Sequence, residues 1–313
     1  MELKYGKQLD ISHFSGEIID LFLCAGNHEK RVFTAFDKLS PNNKILKAIV
    51  LCYKQFDCTI QNDNLTTVLI NNHNHIYEIL NEVINKSDKE EINIFVDYSC
   101  MTKSWYYSII LYLSNKEISL KRIKVYFSYT PSKYSPPQEP KPNSEIEPLP
   151  GKYVVPTDKP KALIVCLGYE QNKAEGIIEH LDPKISYIFY TKPTLDHQFE
   201  ETLESNNSTI LEERCKHVVT FPFQDLLYLE RELTSLYFKL KDEYSVIIAP
   251  LGPKPFTFIS MLMSVKYNDI DIWRVGSGSN INEYPREPFD QETFIISEVV
   301  WQNNVITDAI PLA

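Results

Sequence analysis

The sequence predicts an α/β protein built from two domains with mainly parallel sheets. Three observations carry that expectation. Apolar runs rich in Val, Ile, Leu and Phe alternate along the 313 residues with stretches of helical period. Continuous apolar strands of this kind belong to parallel sheets covered on both faces. Nine of the 19 prolines fall between Pro131 and Pro160, a composition suited to an extended connection. The segments on either side of it follow one plan, as a pseudo-two-fold internal duplication would leave them. The expected organisation is a first Rossmann-like domain over 1–135, a Pro-rich linker over 136–160 and a second Rossmann-like domain over 161–313.

The elements fall in matching order. The first half opens with a strand over Ile18 to Ala25 that ends in Gly26, then Asn-His-Glu-Lys-Arg31 and a helix through Leu39. The second opens with Lys161 to Leu167, ending in Gly168, then Tyr-Glu-Gln-Asn-Lys173 and a helix through Leu181. Gly26 and Gly168 are 142 residues apart, and so are Arg31 and Lys173. Second strands follow at Ile45 to Tyr53 and Ile185 to Tyr190. Helices are expected over His75 to Asn85 and Asp225 to Leu240, the latter with Leu226, Leu229, Leu233, Leu236 and Leu240 on one stripe. Buried strands at Ile92 to Val96 and Ser245 to Ala249 each run into a short loop and an apolar helix, Ser104 to Ser114 and Phe256 to Val265. Ile123 to Phe127 and Ile270 to Val275 close the halves.

Composition bounds the function. With 43% hydrophobic and 24% charged residues, the chain resembles an average globular protein, for which about 45–50% and 25% are usual. Lys+Arg 32 against Asp+Glu 42 gives a net charge of −10. Phosphate backbones are bound by cations that displace counterions, so double-stranded DNA is not an expected partner. The six cysteines, Cys24, Cys52, Cys58, Cys100, Cys166 and Cys215, form no C-x-x-C pair and are expected as small apolar side chains of a reducing compartment. Met1 to Asp10 has no apolar signal region and no run reaches 18 apolar residues, so a cytoplasmic protein with no membrane span is expected.

Glycine is scarce, 9 in 313 or 2.9%, against about 7% on average. Gly26, Gly168, Gly252, Gly276 and Gly278 all stand just past the end of an expected strand, where open α/β sheets bind ligands. Lys103 and Lys254 stand between a buried strand and the following helix, beside the free N–H groups of a helix start. Ser99 and Thr102 add hydroxyl donors, and Arg31 and Lys173 supply a second cation in each half. These residues make an anion-binding constellation. Neither half carries G-x-G-x-x-G or G-x-x-x-x-G-K-[ST], which sets aside an ordinary dinucleotide or Walker-type site. No cofactor and no metal is implied. His28 and Asp97 are the candidate catalytic pair, an imidazole and a carboxylate on loops of the same half that could serve as acid and base.

The first strand-to-helix loop, followed by a strand–loop–helix carrying small residues, Thr or Gly and then Lys, resembles the CARF domains and their fused SAVED relatives. Met101-Thr102-Lys103 and Gly252-Pro253-Lys254 match the fourth-strand loop, and Gly26 to Arg31 and Gly168 to Lys173 the first-strand loop. The resemblance implies a Rossmann-like sensor of cyclic oligonucleotides in prokaryotic antiviral defence, taking its ligand across a two-fold interface between two such domains. The expected function is therefore a sensor or regulatory subunit for a nucleotide-like anionic ligand, with a protein partner carrying the effector activity. An enzyme acting on a nucleotide or phosphoester, and a non-catalytic scaffold subunit of a defence complex, remain the alternatives.

Overall fold

The computed structural model describes residues 1–54, 64–214, 217–276 and 286–303. It divides into two compact units, Met1–Thr130 with Gln291–Ala313, and Pro131–Asp290. In chain order the first contains β1 (Glu2–Leu9), β2 (Ile18–Ile19), β3 (Leu21–Gly26), α1 (Thr34–Leu39), β4 (Lys44–Ile45), β5 (Ala48–Cys52), β6 (Thr66–Leu69), α2 (His73–Asn85), β7 (Glu91–Asp97), α3 (Lys103–Asn115) and β8 (Arg122–Tyr129). The second contains β9 (Glu145–Pro148), β10 (Lys161–Cys166), α4 (Lys173–Leu181), β11 (Ile185–Thr191), α5 (His197–Asn206), β12 (Val218–Phe221), α6 (Leu226–Leu240), β13 (Ser245–Pro250), α7 (Lys254–Lys266) and β14 (Asp271–Gly276). The chain then returns to the first unit as β15 (Ile295–Gln302).

The sheet of the first unit runs β1-β15-β8-β7-β3-β5-β6, and that of the second β12-β11-β10-β13-β14-β9. Numbered within its own unit, each set of five parallel strands has the order third, second, first, fourth, fifth. The fifth strand carries an antiparallel neighbour in both, β15 on β8 and β9 on β14. The mixed α/β class with mostly parallel sheets is thus as the sequence predicts. The reason is local: β3, β5 and most of β7 and β10 are buried on both faces, and α3 and α7 are buried around nearly their whole circumference. Trp105, Tyr106 and Tyr107 belong to that packing.

Three expectations are corrected. The stretch 136–160 is not simply a linker, because Glu145–Pro148 pairs with β14 from Pro148↔Trp273 to Glu145↔Gly276. Residues 291–303 belong with the first unit, because β15 bonds along the whole of β8 and then to β1. Cys24, Cys100 and Cys166 are buried as expected, but Cys52 is disulfide-bonded. Cys58, Cys215 and Gly278 lie outside the described residues. Among the described residues no helix is long and apolar enough to cross a membrane.

Candidate functional site

In each unit the loops leaving the first and fourth parallel strands emerge side by side where the strand order reverses, the usual ligand crevice of such sheets. The two crevices differ. That of the first unit is filled by its own side chains. Arg31, expected as a ligand-facing cation, has 0% exposure. Its Nε donates to Glu29 Oε2 at 2.6 Å, Nη1 to the carbonyl of Thr130 at 2.7 Å and Nη2 to the carbonyl of Ser99 at 3.0 Å, and its guanidinium stacks over Tyr129. A guanidinium cannot shed its proton, so burial demands this full set of acceptors. Ser99 is equally committed: its hydroxyl donates to Asp97 Oδ1 and accepts the N–H of Thr130 at 2.7 Å, while its N–H also goes to Asp97.

The expected acid–base pair gains no support from this arrangement. Asp97 is 1% exposed and its Oδ1 takes both Ser99 donors, so it serves as an anchor for the loop that it begins. The Thr102 N–H donates to Tyr53 Oη at 2.9 Å, and that hydroxyl donates on to the Cys100 carbonyl at 2.9 Å. Tyr53 thereby takes an amide that an anion at the α3 start would use. Burial pushes its phenol above the ordinary tyrosine range. Lys103 is the first residue of α3 and not a loop residue, directly after Thr102 at the cap. Gly26 is the last residue of β3, opposite Cys52.

The crevice of the second unit is open. Gly168, Glu170, Lys173, Ala174, Asn207 and Leu251 line a shallow surface depression. The floor is set by two glycines. A Cβ on Gly168 would stand 2.7 Å from the Leu251 carbonyl oxygen, and one on Gly252 2.5 Å from Cys166 Sγ and 2.6 Å from the Leu167 carbonyl oxygen. These glycines allow the two loops to touch; positive φ among the described glycines occurs at Gly16 and Gly151 instead. Gly276 is accounted for by β9, since a Cβ there would meet the Glu145 carboxylate at 2.9 Å.

Lys173 opens α4 at the edge of the depression, 19% exposed, with Nζ 2.8 Å from Glu170 Oε2. The cap residue Asn172 takes a left-handed conformation, φ 66°, and makes no side-chain capping bond, a conformation Asn tolerates better than most. The first amides of α4 therefore receive no capping bond from the Asn172 side chain. Asn207 is buried against the same loop: its Nδ2 donates to the Gly168 carbonyl at 3.0 Å and to the Leu203 carbonyl at 2.9 Å. Asn206 does the same for the Tyr169 carbonyl at 2.7 Å. Lys254 opens α7, three residues past Leu251, with Pro253 as its uncapped N-terminal neighbour.

Sequence reasoning brought together Gly168, Lys173 and Gly252 and missed Glu170, Asn207, Glu29 and Thr130. Glu170 and Glu29 carried a signal, since each stands two or three residues before its loop's cation. Asn207 carried none, because it reaches the loop from the end of a helix absent from the sequence reading. Among the described residues no cluster of His, Cys, Asp and Glu could hold a metal ion. No protein-family model matches the sequence, and no curated protein matches it.

Proposed function

We propose that this chain is a sensing or regulatory subunit that binds a nucleotide-like anionic ligand through a phosphate-bearing group in the crevice of the second unit. The observation that carries this reading is the position of Lys173. It stands at an uncapped helix start, on the rim of a depression at the strand-order reversal, and keeps part of its surface open. A helix start with an adjacent cation is a suitable place for a phosphate. Lys254 is the second cation assigned to this unit. The first unit, closed by Arg31 and Tyr53, is read as structural.

The shared strand order of the two sheets supports reading them as copies of one ancestral unit. The link to CARF and SAVED-like sensors, the antiviral setting and a protein partner with effector activity rest on the loop residues quoted above. A cytoplasmic location is part of the same reading, and the disulfide at Cys52 is the feature that stands against a fully reducing one.

Calorimetry against a panel of cyclic and linear nucleotides tests the proposal. Binding should fall about ten- to hundredfold in Lys173→Ala and in Lys254→Ala, the loss of one charge-assisted contact each, and remain in Lys103→Ala. Conversion of a bound nucleotide over hours, seen by product analysis, would favour the enzyme. Absence of binding across the panel would leave the scaffold.

A further inference from the structure

The backbone between Tyr134 and Asn143 is set by proline. Prolines stand at 136, 137, 140 and 142. A proline fixes its own φ near about −65° and pushes the residue before it out of the helical region. In the stretch 135–142 every residue except Gln138 is therefore held extended, by its own ring or by the next one. Residues 133–144 accordingly form no helix, strand, turn or bend. Pro136, Pro140 and Pro142 are exposed and Pro137 is half-buried. Both ends are fastened to the second unit. Tyr134 Oη is hydrogen-bonded to Thr202 Oγ1 at 2.8 Å and its ring packs edge-on against Phe199. At the other end Asn143 Nδ2 donates to the Asn172 carbonyl at 3.1 Å, and the Ser144 N–H to the Gly276 carbonyl at 2.9 Å.

An extended backbone dictated by proline is polyproline II, with three residues per turn. That period puts Pro137 and Pro140 on one ridge and Pro136, Glu139 and Pro142 on the next. Gln138 and Lys141 fall on the third. Two ridges carry proline rings and one is polar. We propose that residues 135–142 are a docking peptide carried on the fold, which lays its two proline ridges into an aromatic-lined groove of a protein partner. Grooves of this kind take polyproline II segments in the spaces between their aromatic side chains. A segment already extended and pinned at both ends loses little conformational freedom on binding. This role is independent of what the crevice of the second unit binds.

The test is binding of the full chain to a panel of purified SH3 and WW domains, whose grooves are of this kind, by biolayer interferometry. It compares wild type with Pro137→Ala/Pro140→Ala and with Pro137→Gln/Gln138→Pro, which keeps the number of prolines and removes the three-residue spacing between Pro137 and Pro140. At least one domain should bind wild type. Losing the ring carbons from the groove should weaken that binding about tenfold or more, and the spacing variant should weaken it as much. Failure of every domain to bind wild type, or a spacing variant that binds as well as wild type, overturns the docking role. Self-association of the chain that both variants abolish, seen by sedimentation, would assign the segment to a second copy and overturn it as well. Unchanged melting temperature in both variants separates weakened binding from a folding defect.

Discussion

Arg31 shows how far a side chain's role depends on residues remote in sequence. Its acceptors on Ser99 and Thr130 are 68 and 99 residues away, and they convert a cation that spacing marked as a ligand contact into a strut across three strand ends. Replacing Arg31 by Ala leaves the Glu29 carboxylate and two carbonyls without their partner. Breaking a buried ionic contact from one side costs about 3–5 kcal/mol, so urea unfolding of Arg31→Ala should show a loss of that size. A loss below about 1 kcal/mol would mean that the guanidinium is not a strut. The glycines carry a second expectation at this scale. Gly252→Ala places a methyl group against Cys166 and the Leu167 carbonyl, and overpacking of this kind costs about 1–3 kcal/mol. Equilibrium denaturation with a shift in midpoint and an unchanged slope is the measurement. The scarcity of glycine made Gly168 and Gly252 visible in the sequence; that they face each other was not visible, since it depends on β10 and β13 ending level, Cys166 opposite Pro250.

Among the elements, the long apolar strands and the Leu-striped α6 were legible because their burial repeats along the chain. β6 and β12 were not: four residues each and mostly exposed or half-buried, they present no apolar run. α5 buries only Glu200 and Leu203, too few positions to show a period. β9 escaped because proline-rich composition masks a strand that lies at a sheet edge, where a proline's missing N–H is tolerated. The strap beyond β9 is fastened by Lys152, whose Nζ donates to the carbonyls of Ser264, near the end of α7, and Ile270. Burial pushes this lysine down to about 8, against the opposing pull of Asp271 and Asp269. The folded chain thus releases this proton near pH 8, whereas an unfolded lysine keeps it to about 10.4. Between those limits the unfolded state holds more protons, so stability rises with pH. Above about pH 10 buried tyrosines act in the opposite sense, since Tyr126, pushed up to about 12 mainly by burial, stays protonated when the unfolded chain ionises. Chemical denaturation between pH 7.5 and 9.5 should show stability rising in wild type and a flatter profile in Lys152→Met. Parallel profiles would remove Lys152 as the cause.

At the scale of the whole molecule, the chain's two compact units share an order of parallel strands and differ in what fills the crevice. The alternation of apolar strands with helices was legible, but the strand order was not, because β6, β12 and α5 show no apolar period. The difference was not, because Tyr53, Thr130 and Asn207 reach their loops only through the fold. The net charge of −10 makes a separate demand. Non-specific DNA binders show dissociation constants of about 10⁻⁴–10⁻⁶ M at physiological salt, and this chain should bind double-stranded DNA no better than that. Sub-micromolar binding with a steep salt dependence would point to a basic surface absent from the reading given above.

The number of anion sites decides between an open second crevice beside a closed first one and two equivalent crevices. Calorimetric titration of the full chain with whichever nucleotide of the panel binds best, carried past saturation, measures it directly. One site per chain, lost in Lys173→Gln, is the predicted result. Two sites per chain, or a single site that Lys173→Gln leaves unchanged, would contradict it.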